Sequence, residues 1–309
     1  MSHFYRIFFS FGMVVALSLM AITETAQAAT SIATVTSARE LFNFGVEAAI
    51  HNQYKQAADY FEEAVKLDTN FVAAYSNKCL VYLKLGNYTT AIEDCTQAVQ
   101  LDPNNLEAHL NRGLASQRLG DYQAAISDYS KVLEQQAGDF RAYYNRGLAR
   151  FELKEYTEAI SDFDQALDHI PNNSQLLLAD IYNERGLTQM MLGELTEAIA
   201  DFNQAVRLDN SNYRAFYNRA CACHQKGDTR GAIRDFTLAL QLDPKYAEAY
   251  VNRGLIHHQL GYQQAAISDL KMALKRFDEQ GNEVAYQQTW DILKRLQHLL
   301  DSSKEIAIA

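Results

Sequence analysis

A 34-residue period constrains this chain more than any other feature. The stretch from Ala142 to Leu167, AYYNRGLARFELKEYTEAISDFDQAL, reads as two helical patterns joined by a short polar turn, and versions of it recur. Windows start at Ala38, Val72, Leu106, Phe140, Ala179, Tyr213 and Ala247, 34 residues apart except for one gap of 39. Position 8 of each window is small: Gly45, Cys79, Gly113, Gly147, Gly186, Ala220, Gly254. Position 20 is always Ala, from Ala57 to Ala266, and position 27 is Ala or, once, Val132. Phe61, Phe163, Phe202 and Phe236 stand at position 24, where a large ring fills the space that small residues leave between close helices. Leu-Gly pairs such as Leu85-Gly86 and Leu192-Gly193 mark helix ends inside the units, and Leu-Asp-Pro stops such as Leu101-Asp102-Pro103 close them. A chain of 309 residues is too long for one ordinary core, whereas an array needs each unit to bury its apolar face only against its neighbours.

The period and the residues at these positions resemble the tetratricopeptide repeat family, over Ala38 to about Gln280. The resemblance implies an all-α, right-handed α-solenoid of seven helix pairs, non-catalytic, with the first helix of each pair on a concave face that binds a protein or peptide partner. One departure is that Trp is absent from position 4, where Tyr75, Tyr143, Tyr182, Phe216 and Tyr250 stand. The expected organisation is repeats one to four over 38–173, an insertion at 174–178, repeats five to seven over 179–280, a capping helix over 281–300 and a frayed tail at 301–309. Trp290, Leu293, Leu296 and Leu300 share one helical face suited to covering the end of repeat seven. The insertion, Ser174 to Leu178, is expected to add about one and a half helical turns, to interrupt the stacking of repeats four and five, and to pack its leucines on a neighbour.

Residues 1–28 do not follow the period. Arg6, the uncharged and largely apolar run Ile7–Ile22, and Ala26-Gln27-Ala28 have the layout of a signal peptide, with 29–37 a lead-in. The expectation is export to a periplasm, lumen or medium. An uncleaved Ile7–Ile22 anchor, giving a membrane-held assembly factor, is the alternative. A net charge of −10 argues against a nucleic-acid partner, because phosphate binding needs clustered Lys and Arg.

Two columns carry the remaining information. Position 7 is basic in repeats two to seven (Lys78, Arg112, Arg146, Arg185, Arg219, Arg253), and position 23 is acidic in the same six (Asp94, Asp128, Asp162, Asp201, Asp235, Asp269). Repeat one loses both together, having Phe44 and Tyr60. In two antiparallel helices turning near position 15 these positions meet, which predicts a partly buried ion pair within each hairpin. On the concave face, position 6 reads Asn43, Asn77, Asn111, Asn145, Glu184, Asn218, Asn252. Position 9 reads Val46, Leu80, Leu114, Leu148, Leu187, Cys221, Leu255. A side-chain amide donates and accepts at once, matching an extended peptide backbone, and the apolar column would take side chains. Arg39, Phe42, Arg141, Tyr144, Arg214 and Tyr217 complete the candidate peptide-binding groove; the competing reading is that each Asn bonds a neighbouring helix and only supports stacking. Arg39, Asn43 and Asn77 partly resemble the family's carboxylate clamp, but Glu107 and Asn111 stand where it needs basic residues.

Of the four cysteines, Cys79 and Cys95 lie on facing helices and suit either a disulfide or two buried thiols. Cys221, His224 and His258 share the groove side of repeats six and seven, which raises a weak third reading, a metal or redox site. No phosphate loop or Ser/His/Asp grouping stands out, so neither an enzyme nor a cofactor or metal is expected.

Overall fold

A computed structural model describes residues 37–171 and 173–308, with side chains described through Leu299. The expected signal peptide and all of the lead-in except Ser37 lie outside the described residues, as does the side chain of Leu300. Seven antiparallel helix pairs follow one another. Repeat one is α1 (Ala38–Ile50) and α2 (Tyr54–Leu67); repeat two is α3 (Val72–Leu85) and α4 (Tyr88–Leu101). Repeat three is α5 (Leu106–Arg118) and α6 (Tyr122–Gln135); repeat four is α7 (Phe140–Glu152) and α8 (Tyr156–His169). Repeat five is α9 (Gln175–Leu192) and α10 (Leu195–Leu208); repeat six is α11 (Tyr213–Gln225) and α12 (Thr229–Leu242). Repeat seven is α13 (Ala247–Gln259) and α14 (Gln263–Glu279), and α15 (Glu283–Ile308) closes the array. Each helix packs on the next in sequence, the all-α solenoid expected.

The local signals work through ordinary capping. Ser37 and Glu40 form a capping box on α1, and Asn105, Asp121, Asp139, Asn212 and Asp228 accept hydrogen bonds from first-turn N–H groups of their helices. Position 15 is left-handed in all seven hairpins: Gly86, Gly120, Gly193, Gly227 and Gly261, but also Asn52 at φ 58° and Lys154 at φ 63°. The hairpin cores are equally uniform. A Cβ on Gly45, Gly113, Gly147 or Gly186 would fall 2.6–2.9 Å from the ring of Phe61, Tyr129, Phe163 or Phe202, so the missing methyl is what lets the helices meet. Repeat two solves the same packing with a Cys79–Cys95 disulfide.

The ion pair is present in all six repeats, and it does more than the sequence suggested. Arg146 Nε and Nη2 donate to Asp162 at 3.0 and 2.7 Å, and Arg112, Arg185, Arg219 and Arg253 grip Asp128, Asp201, Asp235 and Asp269 in the same two-pronged way. Lys78 reaches Asp94 at 3.1 Å. The third donor of every cation crosses to position 25 of the preceding repeat. Lys78 meets Glu62 and Arg112 meets Thr96; Arg146 meets Ser130 and Arg185 meets Asp164; Arg219 meets Asn203 and Arg253 meets Thr237. The residue therefore fixes hairpin register and clips each repeat to the one before it. Repeat one has no described predecessor to clip, and there Phe44 and Tyr60 pack ring to ring at 5.7 Å.

Two expectations need correction. The insertion lengthens α9 at its start, but α8 and α9 remain packed as other successive repeats are, so stacking is not interrupted. Leu177 and Leu178 are half-buried, while Leu176 is 66% exposed. The closing helix α15 also runs past the expected boundary at residue 300, to Ile308. Its Leu293 and Leu296 are buried against Leu270 and Leu274 of α14, with Trp290 packed beside them.

Candidate functional site: the inner helix face

First helices of successive repeats touch each other from α1 through α11, whereas paired second helices make no comparable contact. The first helices therefore form the inner wall, and their outward-pointing residues at positions 2, 5, 6, 9, 12 and 13 line it.

The asparagine column splits into two halves. Asn218 Nδ2 donates to Asn183 at 3.0 Å, and Asn252 Nδ2 donates to Tyr217 Oη at 2.9 Å. In both cases position 6 reaches position 5 of the preceding repeat, so these amides support stacking. Asn77 turns back to its own helix, donating to the Ala73 carbonyl at 2.8 Å. Asn43 is exposed, Asn111 and Asn145 are half-buried, and none of the three makes a side-chain hydrogen bond among the described residues. Leu80, Leu114, Leu148 and Leu187 are half-buried alongside, and Leu255 is more open.

The basic and aromatic members also separate. Arg39 is exposed, its guanidinium 5.8 Å from the Phe42 ring centre. Arg141 bridges Glu107 at 2.8 Å and Asp139 at 2.7 Å, which ties repeats three and four together. Arg214 lies against Tyr213, its Nε donating to the Tyr213 hydroxyl at 3.3 Å. Tyr144, expected to face a partner, is only 3% exposed, packed into the core with its ring centre 6.1 Å from that of Phe163. Tyr217 is half-buried within a cluster with Phe236 and Tyr246. Two clefts flank Asn252. One of about 250 Å³ is lined by Tyr217, Glu248, Val251 and α15 residues including Gln288 and Thr289. The other, about 360 Å³, contains Cys221, His224, Leu255 and His258.

That second cleft brings together the three residues of the metal or redox reading. Among the described residues no three His, Cys, Asp or Glu side chains are arranged to hold a metal ion. Burial pushes the Cys221 thiol up to about 11, opposite to the shift that makes a thiolate ligand or nucleophile. Cys221 and Cys223 are both free thiols.

Position 6 of repeat five is the exception that sequence reading passed over. Burial raises the Glu184 carboxyl to about 7, with Asp180 and Glu152 adding to the rise, while the amide of Asn183 and the charge of Arg214 oppose it. The signal was the single break in a column of amides.

Against known proteins, patterns described as "Tetratricopeptide repeat" match residues 72–105, 110–174 and 247–278, and a pattern described as "TPR repeat" matches 190–227 and 220–261. The chain belongs to the tetratricopeptide repeat family, whose members are scaffolds for binding other proteins. It is similar in fold to a tetratricopeptide repeat protein from Parabacteroides merdae, at 20% identity and TM-score 0.64, covering 82% of this chain and 98% of that one. The crystal structure of YrrB, a TPR protein with an unusual peptide-binding site, matches at 21% identity and TM-score 0.51 over 65% of this chain and 99% of that one. A pea protein, translocon at the outer membrane of chloroplasts 64, is 42% identical over 52 residues, which are 17% of this chain and only 9% of that protein. Among the described residues no helix is long and apolar enough to cross a membrane.

Proposed function

We propose that this protein is a non-catalytic scaffold that binds an extended segment of a partner protein along the inner face of repeats one to four. The observation that carries this reading is the pair of uncommitted amides Asn111 and Asn145, one repeat apart, each beside a half-buried leucine. Hydrogen bonding to backbone with apolar contact to side chains holds a peptide while demanding little of its sequence. The likeness to YrrB, described as having a peptide-binding site, supports the same use of the fold. The asparagines of repeats six and seven serve stacking and stand outside this site. The test is a pull-down comparing wild type with Asn111→Ala/Asn145→Ala. The expected result is loss of a partner retained by Asn218→Ala; an unchanged partner set sinks the reading.

We further propose that the scaffold works outside the cytoplasm. The run Ile7–Ile22 followed by Ala26-Gln27-Ala28 supports it, as does the Cys79–Cys95 disulfide, a bond that persists in oxidising compartments. Mass spectrometry of the mature protein tests it. Loss of about 28 residues is expected, and an intact N-terminus on a membrane-bound protein would favour the anchored alternative.

A further inference from the structure

The cleft between the first helices of repeats six and seven is built from what sets those two repeats apart. Positions 12 and 13 read His224-Gln225 and His258-Gln259, one repeat apart, and no other repeat carries that pair. Position 9 is aliphatic in the other six repeats and Cys221 in repeat six. Its shorter side chain leaves room beside the ring of Phe236, which is 1% exposed, and the cleft of about 360 Å³ has space for one large side chain. Phe236, Cys221 and Leu255 give it an apolar lining, while the exposed Gln225 and Gln259 and the half-buried His224 and His258 give it a polar mouth. Among the described residues no Asp, Glu, Lys or Arg lines it. The polar groups differ in what they already hold. Asn252 is committed, donating to Tyr217 at 2.9 Å and to the Cys221 sulfur at 3.8 Å. The Gln263 side-chain oxygen accepts from His258 Nδ1 at 2.8 Å, which leaves Nε2 as the acceptor of that ring. His224 Nδ1 is shut off from solvent and has no hydrogen-bond partner among the described residues. A buried polar atom in that condition costs stability until something satisfies it.

We infer that this cleft receives a tyrosine side chain of a partner protein, its ring against Phe236, Cys221 and Leu255 and its hydroxyl among the two histidines and two glutamines. The site stands apart from the amides of repeats three and four and goes beyond the groove reading above. Charge complementarity narrows the occupant first: a charged side chain would give up its water among groups that offer no opposite charge. An aliphatic side chain would leave the imidazole nitrogens unmatched. An aromatic ring meets a phenyl ring and a sulfur, and both contacts favour it beyond the area they bury. A phenol hydroxyl donates and accepts at once, so it gives its proton to His258 Nε2 and accepts from a glutamine amide.

The experiment is a peptide array of random nonapeptides, with the central residue fixed in turn as Tyr, Phe, Leu, Glu or Lys. It is probed with full-length wild type, Leu255→Trp and His224→Met. Leu255 is 36% exposed, so a tryptophan there has room to fill the cleft from its open side, and His224→Met installs the residue type that Met190 supplies at position 12 of repeat five. Thermal melts establish that all three proteins are folded. The expected result is retention of Tyr arrays over Leu arrays by on the order of tenfold, with Phe arrays between, a ratio that one ring contact and one hydrogen bond together supply. Leu255→Trp should lose the preference for both aromatic residues, and His224→Met should lower Tyr to the level of Phe while leaving Phe above Leu. Equal binding of Tyr and Leu arrays by wild type, stronger retention of Glu or Lys arrays, or an unchanged Tyr preference in both variants overturns the inference and leaves the groove reading to its own Asn111→Ala/Asn145→Ala test. Failure of wild type to bind any array counts against both.

Discussion

Replacing Arg219 with methionine tests the clip most directly. Arg219 donates to both oxygens of Asp235 at 2.7 Å, to Asn203 of repeat five at 2.9 Å, and lies 5.4 Å above the Phe216 ring. The two side chains are 19% and 10% exposed, so this is a largely desolvated pair, and no second cation reaches Asp235 among the described residues. Methionine keeps most of the stem's packing but strands the carboxylate. Breaking a buried pair from one side costs about 3–5 kcal/mol, mostly the desolvation of the charge left behind. For an array of this size about 4 kcal/mol lowers the melting temperature by on the order of 10 °C if it unfolds as one unit. The companion variant Arg219→Met/Asp235→Leu removes the stranded charge as well, and is expected within about 2 kcal/mol of wild type because attraction and desolvation nearly offset in such pairs. Asn203→Ala alone should cost about 1 kcal/mol, and nothing further when added to Arg219→Met. Urea unfolding of wild type and the four variants, followed by circular dichroism, gives each difference. A single variant within about 1 kcal/mol of wild type, or a double variant as unstable as the single, would refute the reasoning.

Three further outcomes follow from named residues. Reducing the Cys79–Cys95 bond, which closes a loop with sequence separation 16, should cost about 3 kcal/mol; Cys79→Gly/Cys95→Phe, which installs the pairing used in repeat four, should make the melt insensitive to reductant. Lys154 holds φ 63° where five other repeats use glycine, so Lys154→Gly should stabilise by about 1 kcal/mol in urea titrations, and a loss would show that its side chain contributes. Because the folded state holds the Glu184 carboxyl at about 7, above the 4.5 of a free side chain, the native protein binds the extra proton between those values. Stability then falls as pH rises through that window, by at most about 1.4 kcal/mol per pH unit, and Glu184→Gln should flatten that slope in urea midpoints measured at several pH values.

Much of this fold was legible without coordinates. The period located the hairpins, because small residues at positions 8, 20 and 27 have meaning only where two helices press together. The co-occurrence of Arg146 with Asp162, and of its five counterparts, announced the ion pair, since their joint absence in repeat one broke the pattern at both places. Position 25 was equally regular, running Glu62, Thr96, Ser130, Asp164, Asn203, Thr237, and still said nothing. A polar residue on a second helix reads as solvent-facing until the next repeat is laid against it.

The candidate site was legible in outline and misread in detail for the same reason. Identical asparagines at position 6 look like one device, yet Asn218 and Asn252 find acceptors in Asn183 and Tyr217, while the position-5 residues one repeat before Asn111 and Asn145, Ser76 and the buried Leu110, take no bond from them. Position 5 of the preceding repeat decides the role, and that neighbour is 35 residues away in the chain. The sequence by itself therefore determined the helices, their pairing and the contacts inside each hairpin, because those depend on residues within one unit and recur often enough to be compared. Only the tertiary structure decided what each repeat does to the next: the clip at position 25 and the division of the amide column. Those contacts depend on how one hairpin is set against another, and a period fixes how often that happens, not which side chains then meet.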